Sequence, residues 1–180
     1  MPPELGDLMT QTTAPATFEG TTLEEARDFV DGIKWDGGFC PCCRQRVQVY
    51  KRHLNAPMAK LLIYLVHQYM KGGQQSYINV HTFPMIQGRR GGGDYAKLVH
   101  WGLIEAEPNE DPETKTHSGS WRPTKAGIMF VQGQTQQPKF VLLYLNDVVG
   151  QAEDEINISG ALKKPFSFSD IMTGNASYLV

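Results

Sequence analysis

Gly91-Gly92-Gly93-Asp94-Tyr95-Ala96-Lys97-Leu98-Val99-His100-Trp101-Gly102-Leu103-Ile104 is the stretch on which the reading of this chain turns. Asp94 can cap a helix start, and Tyr95, Leu98 and Val99 recur at helical spacing, so a short helix with one apolar side is predicted from Asp94 to Trp101. Lys97 and His100 fall on its other side. Gly102 sits where a helix ends on a left-handed residue, and Leu103-Ile104-Glu105-Ala106-Glu107 then alternates as a half-buried strand does. A short helix therefore feeds a strand.

Elements of matching size flank this stretch. Upstream, Asn55-Ala56-Pro57 is a capped helix start. Met58, Leu61, Leu62, Leu65, Val66 and Tyr69 follow at helical spacing until Gly72-Gly73, with His67 expected on the exposed flank. Tyr77-Ile78-Asn79-Val80 reads as a short strand, and Thr82-Phe83-Pro84-Met85-Ile86 as a short helix capped by Thr82. Downstream, Ser120-Trp121-Arg122-Pro123 reads as a returning strand, and Thr124 caps a further helix to Val131. This succession, from about Asn55 to Val131, resembles the winged helix-turn-helix family. With a Cys-Pro-x-Cys turn ahead of it, the chain is also similar to uncharacterised proteins of bacteriophages and their hosts. The resemblance implies that Asp94 to Trp101 is a recognition helix for double-stranded DNA, that Leu103 to Thr124 is the wing, and that Lys97, His100 and Arg122 are contacts.

Gln87-Gly88-Arg89-Arg90-Gly91-Gly92-Gly93 leads into that helix. Two arginines among glycines beside a helix start suit a phosphate: the backbone can approach closely and each guanidinium can fork onto phosphate oxygens. Arg89 and Arg90 are therefore candidate contacts, against the alternative of a solvated turn. Charge supports a basic centre. The net charge is -2, yet residues 41–130 hold twelve Lys/Arg and six Asp/Glu, leaving five Lys/Arg against thirteen Asp/Glu elsewhere. The wing points the other way, because Glu105, Glu107, Glu110, Asp111 and Glu113 would repel a polyanion with only Lys115, His117 and Arg122 to compensate. An adaptor or inhibitor that uses the same domain to bind a host protein of transcription or defence is the alternative function.

Ahead of this domain, Thr22-Leu23-Glu24-Glu25 is a capping box opening a helix to Ile33, with Leu23, Ala26, Phe29, Val30 and Ile33 inward. Trp35-Asp36-Gly37-Gly38-Phe39 then approaches Cys40-Pro41-Cys42-Cys43, and a strand is predicted from Arg46 to Arg52. Cys-x-x-Cys followed by a strand is the spacing of a zinc knuckle, and Cys42, His53, His81 or His117 would have to complete the ligand set. Cys40, Cys42, Cys43 and His53 are thus the candidate ligands of one structural zinc, although Arg44 stands where a glycine is usual. The spacing also resembles a glutaredoxin-like redox site, which needs a helix after its first cysteine that the alternation here does not offer. Reduced thiols in a turn are the bland alternative.

The remaining segments frame the domain. Residues 1–21 are rich in Pro, Thr and Gln with few large apolar residues, a loose tail. Phe140 to Leu145 reads as a strand, Asn146-Asp147 as a turn and Glu155 to Ile158 as the partner strand, with Phe166, Phe168, Ile171 and Met172 expected to pack on the core. Dimerisation through a long helix after Thr124 is not expected, because Gln132 to Pro138 interrupts it. No Ser-His-Asp set, His-Glu-x-x-His motif or nucleotide fingerprint is present, so a non-enzyme is expected. No apolar run could span a bilayer and no secretion signal opens the chain, which predicts a cytoplasmic protein. The expected fold class is α+β, with tail 1–21, helix and cysteine hairpin 22–54, winged-helix domain 55–133 and C-terminal hairpin 134–180.

Overall fold

The computed structural model describes residues 22–73, 77–83, 93–108 and 119–173. The fold is α+β, in two compact units that divide between Tyr50 and Lys51.

The first unit begins with α1 (Leu23–Ile33). Its capping box is closed in both directions: the Glu25 amide donates to Thr22 Oγ1 at 3.2 Å, and the Thr22 amide donates to Glu25 Oε2 at 2.7 Å. Ala26 is buried as expected, but Leu23 is exposed. It is the first helical residue, and a helical Cβ tilts toward the N-terminus, so its side chain projects past the helix start. After a turn through Gly37, at φ +83°, β1 (Gly38–Phe39) pairs antiparallel with β2 (Arg46–Val47). The single strand expected over Arg46 to Arg52 is broken. The Val49 amide turns to the Lys34 carbonyl at 2.8 Å instead, and β3 (Tyr50–His53) begins afresh.

The second unit is built around α2 (Ala56–Lys71), started by Asn55, whose side chain accepts from the Met58 amide at 3.1 Å. Met58, Leu61, Leu62, Leu65 and Val66 are buried as the periodicity requires, and Ala59, Ile63 and His67 are buried too. A one-sided stripe does not describe this helix because several elements cover it. Expected on an exposed flank, His67 is 8% exposed, and its Nδ1 has no partner among the described residues. Burial, with a smaller contribution from the Lys71 charge, pushes its pKa below the ordinary 6.5. Folding favours the neutral ring, so its stabilising effect is complete above pH 6.5 and is lost as pH falls toward the lowered value. Urea midpoints should therefore drop between pH 7.5 and 5.5, and His67→Leu should flatten that drop. An equal drop in both proteins would assign the acid sensitivity to other groups.

Next come β4 (Ile78–Asn79) and the 3-10 turn η1 (Val80–Thr82). Here a helical turn is capped three residues before the expected cap Thr82, by Asn79, whose Oδ1 accepts from the His81 amide at 2.9 Å. Phe83 is extended and buried, stacked on Tyr64 at 4.8 Å. The residue preceding a proline is driven out of helical geometry, and Pro84 follows. The expected helix residues 84–86 lie outside the described residues.

η2 (Gly93–Trp101) runs into β5 (Ile104–Ala106), and β6 (Ser120–Pro123) returns to lie between β4 and β5 in an antiparallel sheet ordered β4-β6-β5. Ile78 and Ala106 both face Trp121, and Glu105 faces Arg122. α3 (Lys125–Val131) follows, its Thr124 cap accepting from the Gly127 amide at 3.1 Å.

The C-terminal strands pair differently from the sequence expectation. β7 (Gln137–Pro138) pairs with β10 (Glu155–Ile156), while β8 (Phe140–Tyr144) pairs with β9 (Asp147–Gln151) and forms a sheet ordered β3-β8-β9. The hairpin turn is Leu145-Asn146, at φ +48° and +74°, both left-handed as a tight two-residue turn of matching twist demands. The register slips between Leu142 and Leu143, so Val148 and Val149 stand where alternation would put one residue. The short helices α4 (Ile158–Leu162) and α5 (Phe168–Met172) close the core with Ile158, Ala161, Leu162 and Ile171. Among the described residues, no helix is long and apolar enough to cross a membrane.

Candidate functional site

η2 carries the candidate contacts, and its geometry decides which way each one faces. A 3-10 helix has three residues per turn, so side chains three apart eclipse one another. Tyr95, Leu98 and Trp101 therefore share a face, and they are partly buried, fully buried and buried respectively. Tyr95 meets Trp121 edge-on with ring centroids 6.5 Å apart, and the Trp101 indole N–H donates to the Pro138 carbonyl at 2.7 Å. The α-helical spacing expected Val99 on this apolar side; with a period of three it is exposed instead, and Trp101 takes its place in the core. Gly102, at φ +65°, ends the element as its sequence position suggested. Its amide reaches back to the Val99 carbonyl at 2.8 Å.

The same period aligns Lys97 with His100. Lys97 Nζ donates to Asn146 Oδ1 at 3.0 Å, and His100 hydrogen-bonds the same side chain. Desolvation and the Lys97 charge hold the His100 pKa below its ordinary range, opposed by Asn146 and by the Asp147 carboxylate. Two of the candidate contacts are thus brought together, on the tip of the β8–β9 hairpin. Arg122 is held elsewhere. Its Nε donates to Glu105 across the β5–β6 pair, and its guanidinium lies 4.7 Å over the Tyr77 ring. One of the five carboxylates between Glu105 and Glu113 is thereby neutralised locally. Arg89 and Arg90 lie outside the described residues, as do Glu110, Asp111, Glu113, Lys115 and His117.

The hairpin tip beside Lys97 has an apolar character that the strand alternation did not announce. Leu145 is 81% exposed and sits in a left-handed conformation that a leucine adopts only when the surrounding turn enforces it. Val148 on the same hairpin and Val99 on η2 are exposed as well. The signal available in the sequence was Leu145-Asn146 at the end of an apolar run, displaced by one residue from the turn assigned there.

The cysteine candidates belong to the other unit. Cys40 is half-buried, Cys42 and Cys43 are exposed, and all three are free thiols. The Cys40 amide donates to the Gln45 carbonyl and the Arg44 amide to the Cys40 carbonyl, both at 2.8 Å. Arg44 is left-handed at φ +59°, the conformation that makes glycine usual at this place. The amides of Cys43 and Cys42 bond the Cys40 sulfur and hold its thiol below the ordinary cysteine range. His53 lies in the second unit, its ring 5.6 Å from that of Phe140. Among the described residues, no three His, Cys, Asp or Glu side chains gather as a metal-holding group.

No protein-family model matches this chain, and neither the curated proteins nor the solved structures contain a detectable relative.

Proposed function

We propose that residues 55–131 are a winged-helix module that binds double-stranded DNA, with η2 in the recognition position and β5 and β6 as the stem of the wing. The observation that carries this is the order of elements around one sheet. A long helix, a short strand, two helical turns and two antiparallel strands, with the last strand central, is an order that resembles a winged helix, and η2 feeds directly into β5. The internal partners of the cations do not prevent such contacts. The Arg122–Glu105 ion pair is exposed and screened by solvent, and the exposed Lys97–Asn146 bond joins a cation to a neutral acceptor rather than to an anion. Either is weak enough to be exchanged for a charge-assisted bond to phosphate.

Fluorescence anisotropy on random duplex DNA over a salt series tests the reading. Replacing Arg89 and Arg90 together with Ala should weaken binding across sequences and reduce the slope of log K against log salt by about 2, one unit per lost phosphate contact. An unchanged affinity and slope would remove the glycine-arginine loop from the interface.

A second reading, an adaptor that binds a protein, is favoured by one observation: Lys97 and His100 are engaged by a hairpin tip that itself exposes Leu145 and Val148. A left-handed, exposed leucine beside the engaged Lys97 and His100 suits an apolar anchor on a partner protein better than a phosphate backbone.

A further inference from the structure

We propose that the Cys40-Pro41-Cys42-Cys43 turn is half of a zinc site: Cys40 and Cys43 of one chain and the same two cysteines of a second copy form a four-thiolate bridge between two chains. The turn has the construction such a site needs. Antiparallel β1 and β2 fix its ends, with Gly38 opposite Val47 and Phe39 opposite Arg46. The Gln45 carbonyl and the Arg44 amide hold Cys40 from both sides, and Arg44 occupies left-handed geometry to close the loop.

Ligand number and exposure point to a second chain. Zinc in a structural site takes four ligands at about 2.0–2.3 Å, and the turn offers a pair spaced as a knuckle. It stands open to solvent, with Cys42 and Cys43 exposed. Phe39, next to Cys40 in the chain, is 52% exposed, and Trp35 in the same unit is 56% exposed, two large apolar side chains in a unit that has little core of its own. A two-fold contact through the turn would bring two such pairs together around one ion and cover the aromatics in the same step, since an isologous interface presents each patch to its own copy. The chemistry is ligand exchange without redox change: Zn²⁺ replaces the thiol protons of four cysteines, so binding releases up to four protons and weakens as pH falls.

The test uses the full chain, reduced and titrated with zinc chloride. Native mass spectrometry and a colorimetric zinc assay should find about one zinc per two chains and a mass of two chains, reverting to one chain on addition of EDTA. Cys43→Ser should bind no zinc and stay single, whereas Cys42→Ser should keep both zinc and the pair. Reversal by EDTA in the unmodified chain keeps the test valid should Cys43→Ser fold poorly. Replacing zinc by cobalt should produce the intense visible bands of a tetrahedral thiolate site only in the paired species. One zinc held by a single chain, a pair that survives EDTA, loss of zinc in Cys42→Ser, or no zinc at all would each overturn the proposal.

Discussion

Gly127→Ala should unfold the second unit at a markedly lower temperature, by about 3 kcal/mol and on the order of 10 °C in a thermal melt followed by circular dichroism. A Cβ built at Gly127 overlaps the Leu103 carbonyl oxygen and comes within 3.3 Å of Leu62 Cδ1. That carbonyl cannot move aside cheaply, because it also accepts the Thr124 amide at 3.1 Å, the bond that ties the start of α3 to the start of β5. α3 would have to lift off α2 and expose Phe130 and Val131, both buried. The same chemical change at Gly32, in α1 with nothing within 4 Å of its Cβ position, should stabilise that helix by up to about 1 kcal/mol, since alanine loses less backbone freedom than glycine. A Gly127→Ala protein that melts with the parent would show that the close packing of α3 on β5 does not form in solution.

Reversing Glu107, Glu110, Asp111 and Glu113 to lysine should raise affinity for random duplex DNA by tenfold or more at low salt and steepen its salt dependence, if the wing lies beside the duplex. Each carboxylate removed deletes a repulsion, and each lysine added can release a counterion. The same variant separates the two functional readings, because an adaptor whose acidic wing meets a basic partner would lose that partner to like-charge contact at the rim. Co-purification with a bound protein, measured beside DNA affinity, gives the answer in one preparation: loss of a partner with no gain on DNA would end the DNA reading, and a gain on DNA with no partner recovered would end the adaptor. Glu105 is left out because its charge already meets Arg122.

What the sequence determined by itself was a set of features fixed within a few residues. The Thr22 capping box, Asn55 and Thr124 as caps, Gly102 as a left-handed stop and the inward stripe of α2 all rest on local hydrogen bonding or on a repeat that neighbours along the chain define. The order of α2, β4, β5, β6 and α3 was legible for the same reason. What only the tertiary structure decided depends on residues far apart. Nothing near His67 announces its burial, since that requires α3, α4, η2 and β6 to gather around α2. The C-terminal pairing was missed because Asp147–Gln151, mostly exposed and without alternating hydrophobicity, forms its strand through cross-strand bonds to Val141–Tyr144, while Glu155 and Ile156 pair with Pro138 and Gln137. The conversion of the Asp94 to Trp101 helix from 3.6 to three residues per turn likewise needs a distant anchor, the Pro138 carbonyl that holds Trp101, and it moves Val99 out and Trp101 in. The partnership of Lys97 and His100 with Asn146 follows from that change of period: side chains three apart eclipse only in the tighter helix, and the residue they share lies more than forty positions along the chain.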